Sequence, residues 1–196
     1  MSISIFYTPD GHRRFASEEG ISISASYIAG IAVLMDEIIE PTINEFCVNR
    51  LDIFCLSNRN LIYRESGELD DWLSVGMELL GQVVERCSQF ANVKTVGNYL
   101  QNNLNVMRSP EAPTVRFFIG NSIEDTVDIE PVDLFIRSGG QLRLSGAPRA
   151  LLGDDTEICP VQTLHPRIKF REMRTVIDGY HSRYIRYSDG KPSRTV

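Results

Sequence analysis

The sequence predicts an α/β fold in which a largely parallel central sheet is flanked by helices. Two observations indicate this class: short β-rich apolar runs alternate with segments of helical apolar spacing, and several runs end at turn residues that include glycine. With 196 residues, the chain is long enough to bury a core of its own. We expect residues 1–187 to form a single domain and residues 188–196 to form a flexible C-terminal tail.

Five apolar runs predict the strands of this sheet, and they cover residues 3–7, 51–56, 93–96, 115–119 and 132–136. Apolar residues that return to one helix face predict three helices, over residues 26–47, over residues 68–87 and from 170 towards 184. Pro41 lies inside the first helix and is expected to kink or interrupt it, because proline has no N–H to donate and its ring clashes with the preceding turn.

Composition narrows the class of protein. The formal net charge of −6 and the isoelectric point near 5.1 argue against general binding to the phosphate backbone of nucleic acids. No apolar run approaches the ~20 residues that span a membrane. The four cysteines have no C-x-x-C pairing, which predicts reduced thiols. We therefore expect a cytosolic enzyme or binding domain with neither a nucleic-acid partner nor stable membrane insertion.

A polar cluster follows the first predicted strand and contains Asp10, Gly11, His12, Arg13 and Arg14 in succession. Gly11 allows a close approach of the backbone, consecutive amides can cradle an anion, and arginines can bind phosphate oxygens through two hydrogen bonds each. Asp10 would repel a bare phosphate, so we expect a divalent cation such as Mg²⁺ to bridge carboxylate and phosphate. An equally weighted alternative is an Asp-Gly turn followed by a solvated basic helix start.

A second polar cluster follows the fifth predicted strand, where Arg137 and Arg143 flank the pair Gly139-Gly140 and Ser145 follows. Guanidinium groups, a hydroxyl and free loop amides suit a second polyanion. The alternative is a Gly-Gly hairpin whose arginines are surface charges. Because ligands of an open parallel sheet bind beyond the carboxyl ends of its strands, two such clusters indicate an enzyme that acts on two phosphorylated substrates.

Four motifs give the sequence a resemblance to a known family. Residues 10–16, Asp-Gly-His-Arg-Arg-Phe-Ala, resemble the Asp-Gly-Asn-Arg-Arg-Tyr/Trp-Ala signature of the cis-prenyltransferases of the undecaprenyl diphosphate synthase type. Residues 133–145 resemble the family's Asp-Leu-x-Ile-Arg-Thr-x-Gly-x-x-Arg-Leu-Ser motif, and residues 57–60 take the place of its Ser-Thr-Glu-Asn. Residues 156–166 have the spacing of its Ala-Glu-Leu-Tyr-Phe and Leu-Trp-Pro segments. The motifs occur in the family's order, and the resemblance covers nearly the whole chain.

The resemblance implies a Mg²⁺-dependent transfer of a prenyl group between two diphosphate substrates. Asp10 would hold Mg²⁺ and assist the departure of the allylic diphosphate, and Glu157 would contribute to the metal site from the partner-facing region of a homodimer. Ser57 and Asn60 would lie near the reacting carbons and the proton acceptor. The diphosphate of the allylic donor would be bound by Gly11, Arg13 and Arg14, with His12 and Tyr27. The second diphosphate would be bound by Arg137, Arg143 and Ser145.

Several positions depart from the family's pattern. His12 replaces an Asn, Ile23 and Tyr27 stand where elongating members place an Arg and a His, and Arg59 and Gln141 each replace a Glu. Only residues 122–131 separate the fourth and fifth predicted strands. Regular members have helices between these strands, so a long product would have less protein wall around it in this chain. These departures resemble the irregular branch of lavandulyl and cyclolavandulyl diphosphate synthases, which join two dimethylallyl units head-to-middle.

The favoured interpretation is therefore a short-chain, head-to-middle condensation with a dimethylallyl or geranyl diphosphate donor, and cyclisation of the product stays open. Two alternatives also stay open: a non-catalytic subunit or diphosphate-binding partner of another prenyltransferase, and transfer of the prenyl group to a non-isoprenoid acceptor. Outside these assignments, His165 and His181 are expected to be structural or surface groups, and Cys55 and Cys159 to be inert thiols.

Overall fold

The computed structural model describes residues 2–63, 70, 75–97, 105–126 and 129–185, and the statements below concern these residues. The strands are β1 (Ile3–Thr8), β2 (Val48–Ser57), β3 (Asn92–Val96), β4 (Asn105–Val106), β5 (Thr114–Asn121), β6 (Val132–Arg137) and β7 (Leu152–Pro160). The helices are α1 (His12–Glu19), α2 (Ile23–Val33), α3 (Glu40–Glu45), α4 (Asn58–Tyr63), α5 (Met77–Ser88) and α6 (Phe170–Ile185).

The seven strands form one sheet in the order β4-β3-β5-β2-β1-β6-β7. All neighbouring pairs are parallel except β3 and β4. The predicted α/β fold with a largely parallel sheet is therefore confirmed. Because β1 lies between β2 and β6, the segments that follow these three strands emerge next to one another at the carboxyl edge of the sheet.

Both faces of the sheet are buried, and each has its own apolar cluster. The larger cluster packs the strands against α2, α5 and α6 and includes Ile5, Leu80 and Ile177. The smaller cluster is built around Phe6, whose ring stacks on that of Phe135 with centroids 5.1 Å apart. Ile5 and Phe6 point to opposite faces because side chains alternate along a strand. Burial on both faces explains why the central strands are continuous apolar runs in the sequence.

All five predicted strands are present, and β7 is the main element that the sequence did not predict. It pairs with β6 at the edge of the sheet, and its sequence contains Gly153, Asp154, Asp155 and Glu157. An edge strand is half-exposed to solvent, so it needs no continuous apolar run. The helix start considered as an alternative after Asp10 is present as α1.

The first predicted helix is a continuous helical stretch over residues 23–45 whose type changes on the way. Between α2 and α3 lies a π-helical segment, Leu34–Ile39, and the N–H of Glu40 donates to the carbonyl of Met35, five residues earlier. Pro41 lies in the first turn of α3, a position that tolerates proline. The expected interruption at Pro41 is therefore a change of helix type rather than a break.

The second predicted helix is described from its middle onward as α5, with Leu80 and Val84 buried. At the predicted start of this helix, residues 68, 69 and 71–74 lie outside the described residues. The predicted tail, residues 188–196, also lies outside them. The third helix begins at Phe170 as predicted. No single helix in the described ranges has the length and apolarity of a membrane span, and α1 with residues 23–45 qualifies only as a pair bent by 117°.

Candidate functional site

The two polar clusters lie side by side, because the strands that precede them, β1 and β6, are paired. The backbone N–H of Asp10 donates to the hydroxyl of Ser138 at 2.8 Å, and the guanidinium of Arg14 donates to the carbonyl of Gly139 at 2.9 Å. The backbone N–H of Ser138 donates to the carbonyl of Thr8 at 3.2 Å. The segments after the two strands thus form one continuous wall.

An ion pair joins the two segments. Nη2 of Arg137 donates to Oδ2 of Asp10 at 2.6 Å, and Nη1 donates to the carbonyl of Arg143 at 2.6 Å. The Arg137 side chain is only 4% exposed. Its Nε–H is buried and has no hydrogen-bond partner within the described ranges. A buried guanidinium with an unused donor is suited to an anionic ligand that supplies the missing acceptor.

A cavity of about 760 Å³ opens beside this ion pair. Its polar part is lined by residues of both clusters, by the segment after β2 and by Arg149; the cluster and segment residues are Asp10, His12, Arg13, Arg59, Asn60, Arg137, Arg143 and Ser145. Its apolar part is lined by Ile31, Leu34, Ile53, Leu80 and Val83. Five arginines face one carboxylate among the described lining residues, so the cavity is locally cationic although the protein is acidic overall.

A second cavity of about 580 Å³ adjoins the first. The two cavities share Asp10, Arg13, Tyr27 and Arg143, with Pro9 and His12. The second cavity alone is lined by Gly11, Arg14, Ser17 and Gln141. The sequence-predicted residues for the two diphosphates therefore line two adjacent spaces with a common wall.

Gly11 positions the first cluster. Its φ angle is +116°, and a Cβ atom at this position would lie 2.8 Å from Cδ2 of Leu164, so no other residue fits without strain. Gly11 is the N-cap of α1, which begins at His12. The backbone amides at the start of α1 carry partial positive charge, as the predicted anion cradle requires.

Ser57 and Asn60 differ in their access to the cavity. Asn60 lines it, but Ser57 is fully buried and its hydroxyl accepts the backbone N–H of Asn60 at 3.0 Å. Ser57 therefore supports the start of α4 instead of facing the cavity. Ser145 lines the cavity with a φ of +52°, which is uncommon for a residue other than glycine and marks a constrained loop.

His165 lies in the cavity wall as a buried, neutral group. Its ring bonds to the hydroxyl of Tyr7 and to the carbonyl of Gly30, both at 2.8 Å. Burial, and to a smaller extent the nearby His12, lower the pKa of His165 to about 3. Burial also raises the pKa of the Tyr7 hydroxyl. Cys55 also lines the cavity, and burial raises its thiol pKa to about 12, consistent with the expected inert thiol.

Gly30, Arg149 and His165 are among the lining residues that were not assigned to the site from the sequence. Arg149 follows the second cluster by four residues, and its basic character was an available signal. Gly30 and His165 carry no such signal, because each reaches the cavity through partners that lie far away along the chain.

Glu157 does not reach either cavity in this chain. It lies in β7 opposite Leu134, and its carboxylate pairs with the guanidinium of Arg183 on α6, with 3.0 Å between Nε and Oε1. Pro160, which is opposite Arg137, marks the end of β7 near the cavity, so Glu157 is roughly 10 Å back along the strand.

The described residues offer one carboxylate, Asp10, as a ligand for Mg²⁺ in the cavity, and no group of three or more His, Cys, Asp or Glu side chains gathers there or elsewhere in the described ranges. Magnesium in proteins commonly takes one or two carboxylates and completes its shell with phosphate oxygens and water. The donor set therefore fits Mg²⁺ that is bound together with a diphosphate.

No family model and no curated protein matches the sequence. Among solved structures, the chain is similar to the crystal structure of lavandulyl diphosphate synthase from Lavandula x intermedia in complex with dimethylallyl diphosphate. The TM-score is 0.77 at 19% identity, and the match covers 92% of this chain and 95% of that chain. The chain thus has a cis-prenyltransferase-like α/β fold in a shortened form.

Proposed function

We propose that the protein is a prenyltransferase that takes its prenyl group from an allylic diphosphate. The observation that carries this proposal is the arginine-lined cavity at the paired ends of β1 and β6, beside the ion pair of Asp10 and Arg137. A protein of similar fold has been crystallised with dimethylallyl diphosphate, which supports substrates of this class.

The chain's own residues supply the binding and orientation that the reaction needs. The amides that begin α1, with Arg13 and Arg14, would bind the diphosphate of the donor. Arg137, Arg143 and Ser145 would bind the diphosphate of the second substrate. Mg²⁺, held by Asp10 and by phosphate oxygens, would neutralise the charge that accumulates on the departing pyrophosphate.

In the proposed step the allylic C–O bond breaks and pyrophosphate leaves with the bonding electrons. The double bond of the second isoprenoid supplies the electrons of the new C–C bond, and loss of a proton completes the product. The apolar lining that includes Leu34 and Leu80 would keep water from the carbocation. The donors at the first diphosphate, Arg13 and Arg14 with the amides that begin α1, would stabilise the leaving charge.

The finer proposal is a short product made by head-to-middle condensation of two dimethylallyl units. The similarity to a lavandulyl diphosphate synthase in complex with dimethylallyl diphosphate supports it. A homodimer that supplies Glu157 to the neighbouring site belongs to the same proposal, since Glu157 lies outside the cavities of its own chain.

The position of Glu157 also favours one alternative, a diphosphate-binding subunit that works only with another prenyltransferase. The two functions differ in the behaviour of the isolated protein. A prenyltransferase releases pyrophosphate from dimethylallyl diphosphate alone or with isopentenyl or geranyl diphosphate, whereas the subunit binds diphosphate without turnover.

The deciding experiment incubates the isolated protein with these substrates and Mg²⁺ and identifies the products by mass spectrometry. An Asp10→Asn variant, which keeps the shape but removes the charge, should lose turnover. An Arg171→Gln variant on the exposed surface of α6 is the control and should behave as wild type. No product from any substrate pair would overturn the enzymatic proposal, and a product mass that contains a non-isoprenoid group would redirect it to that acceptor.

A further inference from the structure

His165 connects three parts of the site through hydrogen bonds. Its backbone N–H donates to the carbonyl of Asp10 at 2.9 Å. Nδ1 of its ring lies 2.8 Å from the hydroxyl of Tyr7 on β1, and Nε2 lies 2.8 Å from the carbonyl of Gly30 on α2. The residue is 1% exposed. One residue thus fixes the Asp10 segment, the central strand and helix α2 relative to one another.

The hydrogen-bond partners determine the protonation of the ring. A carbonyl only accepts hydrogen bonds, so Nε2 carries the hydrogen and donates it to Gly30. Nδ1 then accepts from the hydroxyl of Tyr7. Both ring nitrogens have a hydrogen-bond partner that the fold places there. These two bonds, and not packing alone, therefore fix the position of the ring.

The carbonyl of Gly30 lies where the helix changes type. The backbone N–H of Leu34 also bonds to the carbonyls of Gly30 and Ile31, and the π-helical segment begins at Leu34. Ile31 and Leu34 line the apolar part of the cavity. The bond from His165 therefore acts on the turn of α2 that carries the apolar cavity wall.

The rings around His165 are closely packed. The His12 ring lies 5.3 Å from that of His165 and 4.9 Å from that of Tyr27, measured between centroids. A Cβ atom on Gly30 would lie 2.1 Å from Cε1 of His12, so helix α2 can approach His12 this closely only because residue 30 is glycine. All four residues line the cavity, so a displacement of α2 would change the shape of the space beside the donor site.

We propose that His165 is a positioning residue that, through its bonds to Gly30 and Tyr7, sets the distance of helix α2 from the donor site and so determines which length of prenyl donor the cavity accepts. This inference rests on the proposed function. It concerns the recognition of the hydrocarbon chain, whereas the diphosphate is bound by other residues.

Three variants test the two bonds. His165→Leu removes both, Tyr7→Phe removes only the bond at Nδ1, and His165→Gln keeps one donor and one acceptor on a side chain of similar reach. We would measure, by calorimetry with Mg²⁺, the binding of unreactive thiolo analogues of dimethylallyl and geranyl diphosphate, and of inorganic pyrophosphate. Binding does not require turnover, so the readout is independent of catalysis.

We expect His165→Leu to shift the ratio of the two analogue affinities by about tenfold towards the longer chain, which corresponds to about 1.4 kcal/mol. His165→Gln should restore the wild-type ratio, and Tyr7→Phe should shift it partway. Pyrophosphate affinity should be the same in all folded variants, because its binding residues are unchanged. A role in folding alone would lower all three affinities together.

An unchanged ratio in folded His165→Leu would overturn the inference. If His165→Leu does not fold, an unchanged ratio in Tyr7→Phe overturns it and a shifted ratio supports it. Failure of the wild type to bind either analogue would instead refute the proposed function, so the two failures are distinct.

Discussion

The guanidinium of Arg137 lies 2.6 Å from the carboxylate of Asp10, although 127 positions separate the two residues in the sequence. The pairing of β1 with β6 brings them together at the carboxyl edge of the sheet. A buried arginine needs a compensating charge, and Asp10 provides it. A diphosphate that accepted from the unused Nε–H of Arg137 would leave this ion pair in place.

We expect Arg137→Lys to reduce kcat/KM by about 10² or more, because an ammonium group cannot bond to Asp10, to the carbonyl of Arg143 and to phosphate in the fixed planar geometry of a guanidinium. Steady-state assays of pyrophosphate release would measure the effect. The thermal midpoint should change much less than the activity. Full activity in Arg137→Lys would contradict the assigned role.

Substitution of Gly11 by alanine should impair both stability and activity. The backbone at Gly11 has a φ of +116°, and the added Cβ would meet Leu164 at 2.8 Å. Strain of this kind costs about 1–3 kcal/mol before the contact with Leu164 is added. Chemical denaturation would measure the loss.

Gly20→Ala is the matched control for Gly11→Ala. Gly20 also has a positive φ, of +65°, but a Cβ there has nothing within 4 Å. The difference in unfolding free energy between the two variants reports the contact with Leu164 together with the greater backbone strain at Gly11, because a φ of +65° lies in the left-handed region and a φ of +116° lies outside it. Equal losses in both would show that neither contributes.

The apolar wall should limit the length of the product. Leu80 lines the cavity, and Leu80→Ala would enlarge it while costing about 2–5 kcal/mol of stability. We expect products of greater mass from geranyl diphosphate. Leu151→Ala, in the buried cluster on the opposite face of the sheet, should lose similar stability without any change of product. If both variants gave the same products as wild type, Leu80 would not limit length.

Stability should fall as the solution becomes acidic, partly through His165. The pKa of His165 is about 3 in the folded protein and near 6.5 when unfolded, so between these values only the unfolded state binds the proton. Stability from this group is therefore present above pH 6.5 and decreases below it, by about 2 kcal/mol between pH 7 and pH 5.

Guanidinium denaturation of wild type and His165→Gln at pH 7 and pH 5 would measure this contribution. Glutamine does not titrate, so the variant should lose less stability on acidification than the wild type. The same pH dependence in both proteins would contradict the neutral state of the buried ring.

The local sequence was sufficient to predict those elements of the fold that follow a simple residue pattern. The central strands are buried on both faces and appear as apolar runs, and the two clusters at Asp10 and Arg137 combine glycine with arginine. Strand β7 was missed because its edge position permits acidic residues. Ser57 was expected near the reacting carbons, but its hydroxyl accepts the N–H of Asn60 three residues later, and a serine just before a helix start was the available local signal for this contact.

His165 illustrates the same limit at the site itself. Its bond to Gly30 spans 135 positions, and its bond to Tyr7 spans 158. Neither partner carries a sequence signal for this contact, because tyrosine and glycine are common residues in strands and helices. The expectation that His165 is a structural or surface group left open both its burial and its place in the cavity wall.

The wall shared by the two cavities affects how molecules enter and leave. Asp10, Arg13 and Arg143 separate a smaller space next to Gly11 and Arg14 from a larger one next to Leu34 and Leu80. In the proposed reaction, the inorganic by-product would occupy the smaller space and the hydrocarbon product the larger one. Release of the two products would then depend on different residues, Gly11 and Arg14 for the first and Leu34 and Leu80 for the second.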